Sequence, residues 1–173
     1  FEDYVKKFTD LPFMVKLEKR EDGFVPGRFL RASDFEGDLG IDSRADFYPV
    51  LTDEKTGDWV VPNGTIGSRW SAQGRWNLKN EDFRTGRPFT PQLSRKGSED
   101  ARLTVLFPYF GGATFSNPNF AFTAHSDIQK RIVPAKRIIG KDGREIWAAN
   151  VFDLMLAQYG VDNGLGDPGA ARS

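Results

Sequence analysis

The sequence contains no cysteine and a single histidine, His125. Without cysteine, disulfides, thiolate nucleophiles and thiolate-held zinc or iron–sulfur centres are excluded within these residues. The lack of disulfides fits a reducing compartment. No charge of one sign dominates, because 24 Lys+Arg balance 24 Asp+Glu to a formal net charge of zero. A dedicated nucleic-acid binder carries a basic excess, and a polybasic anchor or an acidic tail carries a run of like charge. The nearest approach to a basic run, Lys130, Arg131, Lys136 and Arg137, is interrupted by Ile132, Val133 and Pro134. It reads as the solvated side of a strand and not as a phosphate patch. No apolar stretch approaches the roughly 20 residues that span a bilayer. An initiator methionine and a signal peptide are both missing. The opening Phe1-Glu2-Asp3-Tyr4-Val5-Lys6-Lys7-Phe8 instead reads as the end of a helix entered from upstream, a first sign that the 173 residues are a piece of a larger protein.

What is present has the length of one domain and suffices to bury roughly two-thirds of the unfolded surface. Phe1, Tyr4, Val5 and Phe8 recur at helical spacing, which turns Lys6 and Lys7 outward, and Pro12 blocks continuation. Residues 13–17 (FMVKL) read as a buried strand, returning over residues 24–30 after the turn Glu21-Asp22-Gly23. Residues 33–46 form a polar loop, and residues 47–51 and 58–61 a strand–loop–strand unit. Regular periodicity fails over residues 64–98, so a long loop is expected there, wrapping over other parts of a larger protein. Residues 101–110 (ARLTVLFPYF) are the clearest strand and residues 120–123 a shorter one. Residues 135–139 and 144–149 flank the turn Gly140-Lys141-Asp142-Gly143 as a hairpin. Asn150 is placed to cap a helix with apolar positions Val151, Phe152, Leu154, Met155, Leu156 and Tyr159, with Gly160 at the left-handed position past its end. The fold class is α+β: a strand-dominant mixed fragment with short strands and hairpins, long loops and a helix near each end.

The residues offer little self-contained chemistry. Ala124-His125-Ser126-Asp127 holds triad residue types in sequence, but a triad is assembled in space, so adjacency carries almost no weight and His125 reads as a surface or capping residue. Asp34, Glu36, Asp38 and Asp42 loosely follow alternating calcium-ligand spacing. The closing position of such a loop falls on Ala45, so a solvated acidic loop is the reading. Asn63-Gly64-Thr65-Ile66-Gly67-Ser68 lacks both the glycine spacing and the lysine of a phosphate loop. Gly160, Gly164 and Gly166 follow a helix instead of opening one. The repeated pairs Arg69-Trp70 and Arg75-Trp76 are the most distinctive local feature. They suit the packing of a long loop on a neighbouring surface better than stacking on a base or sugar. No catalytic, cofactor-binding or metal-binding residue is assigned.

Several separated stretches, in order along the chain, resemble the large (alpha, catalytic) subunit of respiratory membrane-bound nitrate reductases, of the molybdopterin oxidoreductase family. They include Phe8-Thr9-Asp10-Leu11-Pro12, Arg28-Phe29-Leu30-Arg31-Ala32-Ser33-Asp34 and Val61-Pro62-Asn63-Gly64-Thr65-Ile66-Gly67 with the two Arg-Trp pairs. Further on come Phe107-Pro108-Tyr109-Phe110-Gly111-Gly112, Pro134-Ala135-Lys136-Arg137 and the stretches Val151-Phe152-Asp153-Leu154 and Ala157-Gln158-Tyr159-Gly160. The likeness weakens over residues 34–46, 79–91 and 113–127. It implies a parent enzyme reducing nitrate to nitrite in anaerobic respiration, with a molybdenum-bis(molybdopterin guanine dinucleotide) cofactor and a 4Fe-4S cluster. It also implies an iron–sulfur beta subunit, a haem-bearing gamma membrane subunit and a peripheral site on the cytoplasmic side of the membrane. The family's metal-ligating segments lie upstream of the matched region. The resemblance therefore makes residues 1–173 a single internal domain or insertion region: a soluble scaffold and interaction segment without cofactor or active site, whose partner is the rest of the parent subunit. A stand-alone non-enzymatic binding module of shared ancestry and a fragment of a related nitrite oxidoreductase are the alternatives.

Overall fold

The computed structural model describes residues 1–64, 78–109 and 127–161. Helix α1 (Glu2–Phe8) has acidic residues in its first turn and basic ones in its last, which suits the helix dipole. It ends where Thr9 turns extended and its hydroxyl donates to the Val5 carbonyl at 2.6 Å. Its orientation corrects the expected stripe: Val5 is buried, whereas Phe1, Tyr4 and Phe8 are exposed. Lys6, expected outward, is buried because two carboxylates meet its ammonium, Glu2 at 2.7 Å and Glu54 at 3.0 Å.

Strands β1 (Met14–Arg20) and β2 (Gly23–Phe29) form the expected antiparallel hairpin, with an irregularity between Val15 and Leu17. Residues 30–50 then fold into three short 3-10 turns, Ala32–Asp34, Glu36–Gly40 and Ala45–Phe47. Phe47 thus lies in a turn and not in the strand expected there. Strands β3 (Leu51–Thr52) and β4 (Trp59–Val60) pair around the 53–58 turn. Strand β5 (Pro62–Asn63) pairs with β6 (Lys79–Asp82), so part of the stretch read as an element-free loop is strand.

Strand β7 (Ala101–Tyr109) pairs along its length with β8 (Asp127–Ile139), a strand that starts well before the expected residue 135. Strand β9 (Glu145–Asn150) pairs with β8 on one side and β1 on the other, which closes a barrel in the order β1-β2-β7-β8-β9. Among the described residues β2 and β7 pair in parallel through a single residue pair, Phe24↔Val105. Helix α2 (Val151–Gln158) follows β9 directly. Gly160 (φ +70°) ends it as expected: its N–H donates to the Ala157 carbonyl and that of Val161 to the Leu156 carbonyl.

Alternation along the strands splits the core. Val15, Leu17, Val105, Phe107, Val133, Ala135 and Ala149 pack together inside the barrel with Leu154 and Ala157 of α2. Their strand neighbours Met14, Ala148 and Ile138 face outward, onto Leu30, Phe35, Ile41, Val50 and Val61 of the covering segment. Phe13, Leu51, Val60 and Phe89 form a third cluster. The strand-dominant α+β class with a helix near each end is what the structure has. No helix among the described residues is long and apolar enough to cross a membrane.

Candidate functional site

The most concentrated buried polar chemistry lies where β9 meets α2. Asn150 is fully buried and stands at the N-cap position, but its side chain makes no capping bond, contrary to the sequence expectation. Its Nδ2 instead donates to the Pro12 and Gln92 carbonyls, each at 2.9 Å. The amide thus ties three parts of the chain together, beside the Val151 and Phe152 N–H groups that donate to the Phe13 and Leu11 carbonyls.

One turn further, Asp153 is 2% exposed and accepts from Ser94 Oγ at 2.6 Å and from the Arg95 backbone N–H at 2.8 Å. Burial pushes its carboxyl above the ordinary value, and these two donors together with the Arg95 charge only partly offset that. Arg95 itself is 1% exposed. Its guanidinium donates to Gln92 Oε1 at 2.9 Å and to Thr52 Oγ1, and lies 3.7 Å from Met14 Sδ. Burial lowers its pKa, yet an arginine stays charged. Ser94 is half-buried, and no imidazole stands beside this Ser–Asp pair among the described residues. The arrangement braces the fold.

The acidic loop does not converge. Asp34 is buried, not solvated as expected, because Arg28 grips both its oxygens, at 2.8 and 2.5 Å, and the Arg31 N–H donates at 2.8 Å. Burial raises its pKa, but the Arg28 and Arg31 donors and the positive charges of Arg28 and Lys16 together outweigh that and hold it below the ordinary value. Asp38 pairs with Lys141, while Glu36 and Asp42 stay exposed. Among the described residues, no three His, Cys, Asp or Glu side chains gather as a metal site.

Two open clefts stand out among the described residues. One, of 510 Å³, is lined by Gly27, Arg28 and Phe29 of β2, by Arg31, Asp46, Phe47 and Pro49, and by Asp10, Val15 and Val151. The other, of 520 Å³, lies between the 53–60 hairpin and residues 82–89. Arg84 sits at its wall, held to Asp82 at 2.8 Å and to the Trp59 and Leu39 carbonyls at 2.6 and 3.2 Å.

His125, Trp70, Trp76, their arginines, the strand expected over 120–123, and Gly164 and Gly166 lie outside the described residues. The brace escaped the sequence reading although one signal existed. Asp153 is a lone charge inside the apolar run Val151-Phe152-Asp153-Leu154-Met155-Leu156. A carboxylate on a face that must bury needs partners. Nothing local marks Arg95 as the residue that supplies one.

No family model matches the chain. Among curated proteins it is 40% identical over 173 residues to the respiratory nitrate reductase 2 alpha chain of Escherichia coli (strain K12), covering 99% of this chain and 14% of that one. It is 39% identical over 171 residues to the nitrate reductase alpha chain of Bacillus subtilis (strain 168), covering 98% and 13%. Against the nitrate reductase alpha subunit of Mycobacterium tuberculosis (strain ATCC 25618 / H37Rv) the values are 38% over 165 residues, 93% and 12%. The chain is thus homologous over nearly its whole length to a segment of nitrate reductase alpha chains, and spans 12–14% of these three relatives.

Proposed function

We propose that this chain is a scaffold and interaction segment of a nitrate reductase alpha subunit, a single structural unit that performs no redox step of its own. The observation that carries the reading is the 40% identity across 99% of the chain to a much longer protein, of which it matches 14%. The geometry is compatible with that role. The most concentrated polar cluster centres on the buried Arg95, Asn150 and Asp153, and in the cleft beside β2 the exposed Phe47 stands with an Arg28 that Asp34 already holds.

In this proposal the parent reduces nitrate to nitrite in anaerobic respiration. Its molybdenum-pterin cofactor and 4Fe-4S cluster sit in other parts of the subunit. The chain has no cysteine to ligate such a cluster, which supports placing the cluster elsewhere. The iron–sulfur beta subunit, the haem-bearing gamma subunit and the cytoplasmic face of the membrane belong to the same reading.

An immunoblot of fractionated, nitrate-grown source cells with an antibody against this chain tests it. The expected result is a band far larger than 19.4 kDa in the membrane fraction. A soluble band near that mass would withdraw the assignment.

A further inference from the structure

Asn63, the last residue of β5, is followed directly by Gly64. In such a pair the backbone can attack the side chain, because the glycine nitrogen and the asparagine Cγ close a five-membered ring. Glycine has no Cβ to obstruct that approach. The outcome then depends on where the fold aims the carboxamide. Here the Gly64 N–H donates to Asn63 Oδ1 at 2.9 Å, so the nucleophilic nitrogen already rests against the group it attacks. Rotation about Cβ–Cγ turns the face of the carbonyl towards it, and such proximity replaces much of the entropy a bimolecular reaction would lose. Gly64 holds this position at φ +95°, in a region that favours glycine. Asn63 is half-buried and Gly64 exposed, which gives water access.

The other described Asx-Gly pairs, Asp22-Gly23 and Asp142-Gly143, lack this arrangement. Both carry a carboxylate, a poor electrophile. Asp142 also turns its Oδ1 to the Arg144 N–H, two residues on, at 3.0 Å.

We infer that Asn63 is a site of self-modification by succinimide formation. The Gly64 nitrogen bonds to Asn63 Cγ, the Cγ–Nδ2 bond breaks, and the Gly64 amide proton ends on the departing ammonia. Water then opens the ring. Attack at one carbonyl gives aspartate; attack at the other gives isoaspartate, in which the main chain runs through the side-chain carbon. Water is the only co-reactant, and no electron changes hands. Asn63 stands opposite the exposed Lys79 across the β5–β6 ladder, so either product sets a carboxylate beside a cation. Isoaspartate also adds a methylene to the backbone of β5, where the ladder already shifts register between Pro62 and Asn63. Both reactants belong to this chain, so the step is independent of the proposed function.

The test ages the complete native protein, isolated from its source cells, in neutral buffer beside a sample held unfolded in urea. Digestion at acid pH and mass spectrometry follow the peptide carrying Asn63. Methyl transfer from S-adenosylmethionine by an isoaspartyl methyltransferase labels the isoaspartyl product. In the folded protein this peptide is expected to lose ammonia and then gain water, yielding isoaspartate and aspartate together, at a rate comparable to that of the unfolded sample. Asn63→Gln, whose longer side chain would have to close a six-membered ring, should lose the methyl label on this peptide. An intact Asn63 in the folded protein, whether or not the unfolded sample converts, would overturn the inference. Conversion to aspartate without isoaspartate would overturn it too, since that is direct hydrolysis of the amide without a ring.

Discussion

Asp34 and Arg95 are both buried ionic residues, but they are satisfied differently and should respond differently to change. Asp34 accepts three hydrogen bonds, two of them from Arg28, and these with the neighbouring charges hold its pKa below the ordinary value against the opposing effect of burial. A carboxyl with a depressed folded pKa contributes stability above its unfolded value, about 3.9, and loses that contribution as pH falls through the folded value. Asp34→Asn is therefore expected to flatten the fall in stability below about pH 4, measured as urea midpoint against pH; an unchanged slope would refute the assignment. At neutral pH, Asp34→Ala should cost about 2 kcal/mol. That is less than for a fully enclosed pair, because the Arg28 side chain is 41% exposed and screened by water. Arg95 presents the opposite case, since its guanidinium meets neutral acceptors on Gln92 and Thr52 while Asp153 is held by its backbone. Arg95→Ala should cost about 3–5 kcal/mol by leaving a cavity and unpaired polar groups. Arg95→Met, which fills the volume and keeps the backbone bond to Asp153, should cost clearly less. Equal losses in chemical denaturation would show that the guanidinium's bonds, and not its packed volume, carry the effect.

At the scale of elements, closeness in sequence decided what could be read in advance. The β1–β2 hairpin was legible from an apolar run followed by Glu21-Asp22-Gly23, and β8–β9 from Gly140-Lys141-Asp142-Gly143. The end of α2 was legible from Gly160. The upstream half of β8 was not, because Lys130 and Arg131 break its apolar pattern and its support comes from β7, a strand far off in sequence. The outward face of α1 was misread because seven residues do not reveal which side rests on the body. Lys6 settles that side only through Glu54, on another element. Of the candidate site, the lone Asp153 was visible and its partners were not, for the same reason. Gly23 shows how an element boundary sets a steric requirement. A Cβ there would lie 2.7 Å from the Thr104 backbone oxygen, where β2 approaches β7. Backbone cannot step aside as a flexible side-chain end can, so Gly23→Ala should cost about 1–3 kcal/mol by overpacking. A urea midpoint shift equivalent to less than about 0.5 kcal/mol would mean the barrel yields at this seam.

The whole molecule is held by contacts between its distant ends. Met14 pairs with Asn150 across the closing β1–β9 seam, and Asn150 Nδ2 reaches the Pro12 carbonyl 138 residues away. Leu154 and Ala157 of α2 complete the cluster inside the barrel. No barrel was foreseen from the sequence, because closure is a property of pairings that local periodicity does not encode. Such long-range pairing has a thermodynamic consequence: the barrel strands lose cover on their buried faces if the last 29 residues are removed. A chain ending at Arg144 would lack β9 and α2, open the edges of β1 and β8, and leave Val15, Leu17, Val133 and Ala135 facing water. The full chain should unfold in one cooperative transition followed by tryptophan fluorescence and circular dichroism. The truncated chain should show no such transition and should bind hydrophobic dye. If instead it kept the full chain's midpoint, the barrel would not be the cooperative unit, and the stability would reside in the segment covering β1 from outside, around Leu30, Val50 and Val61.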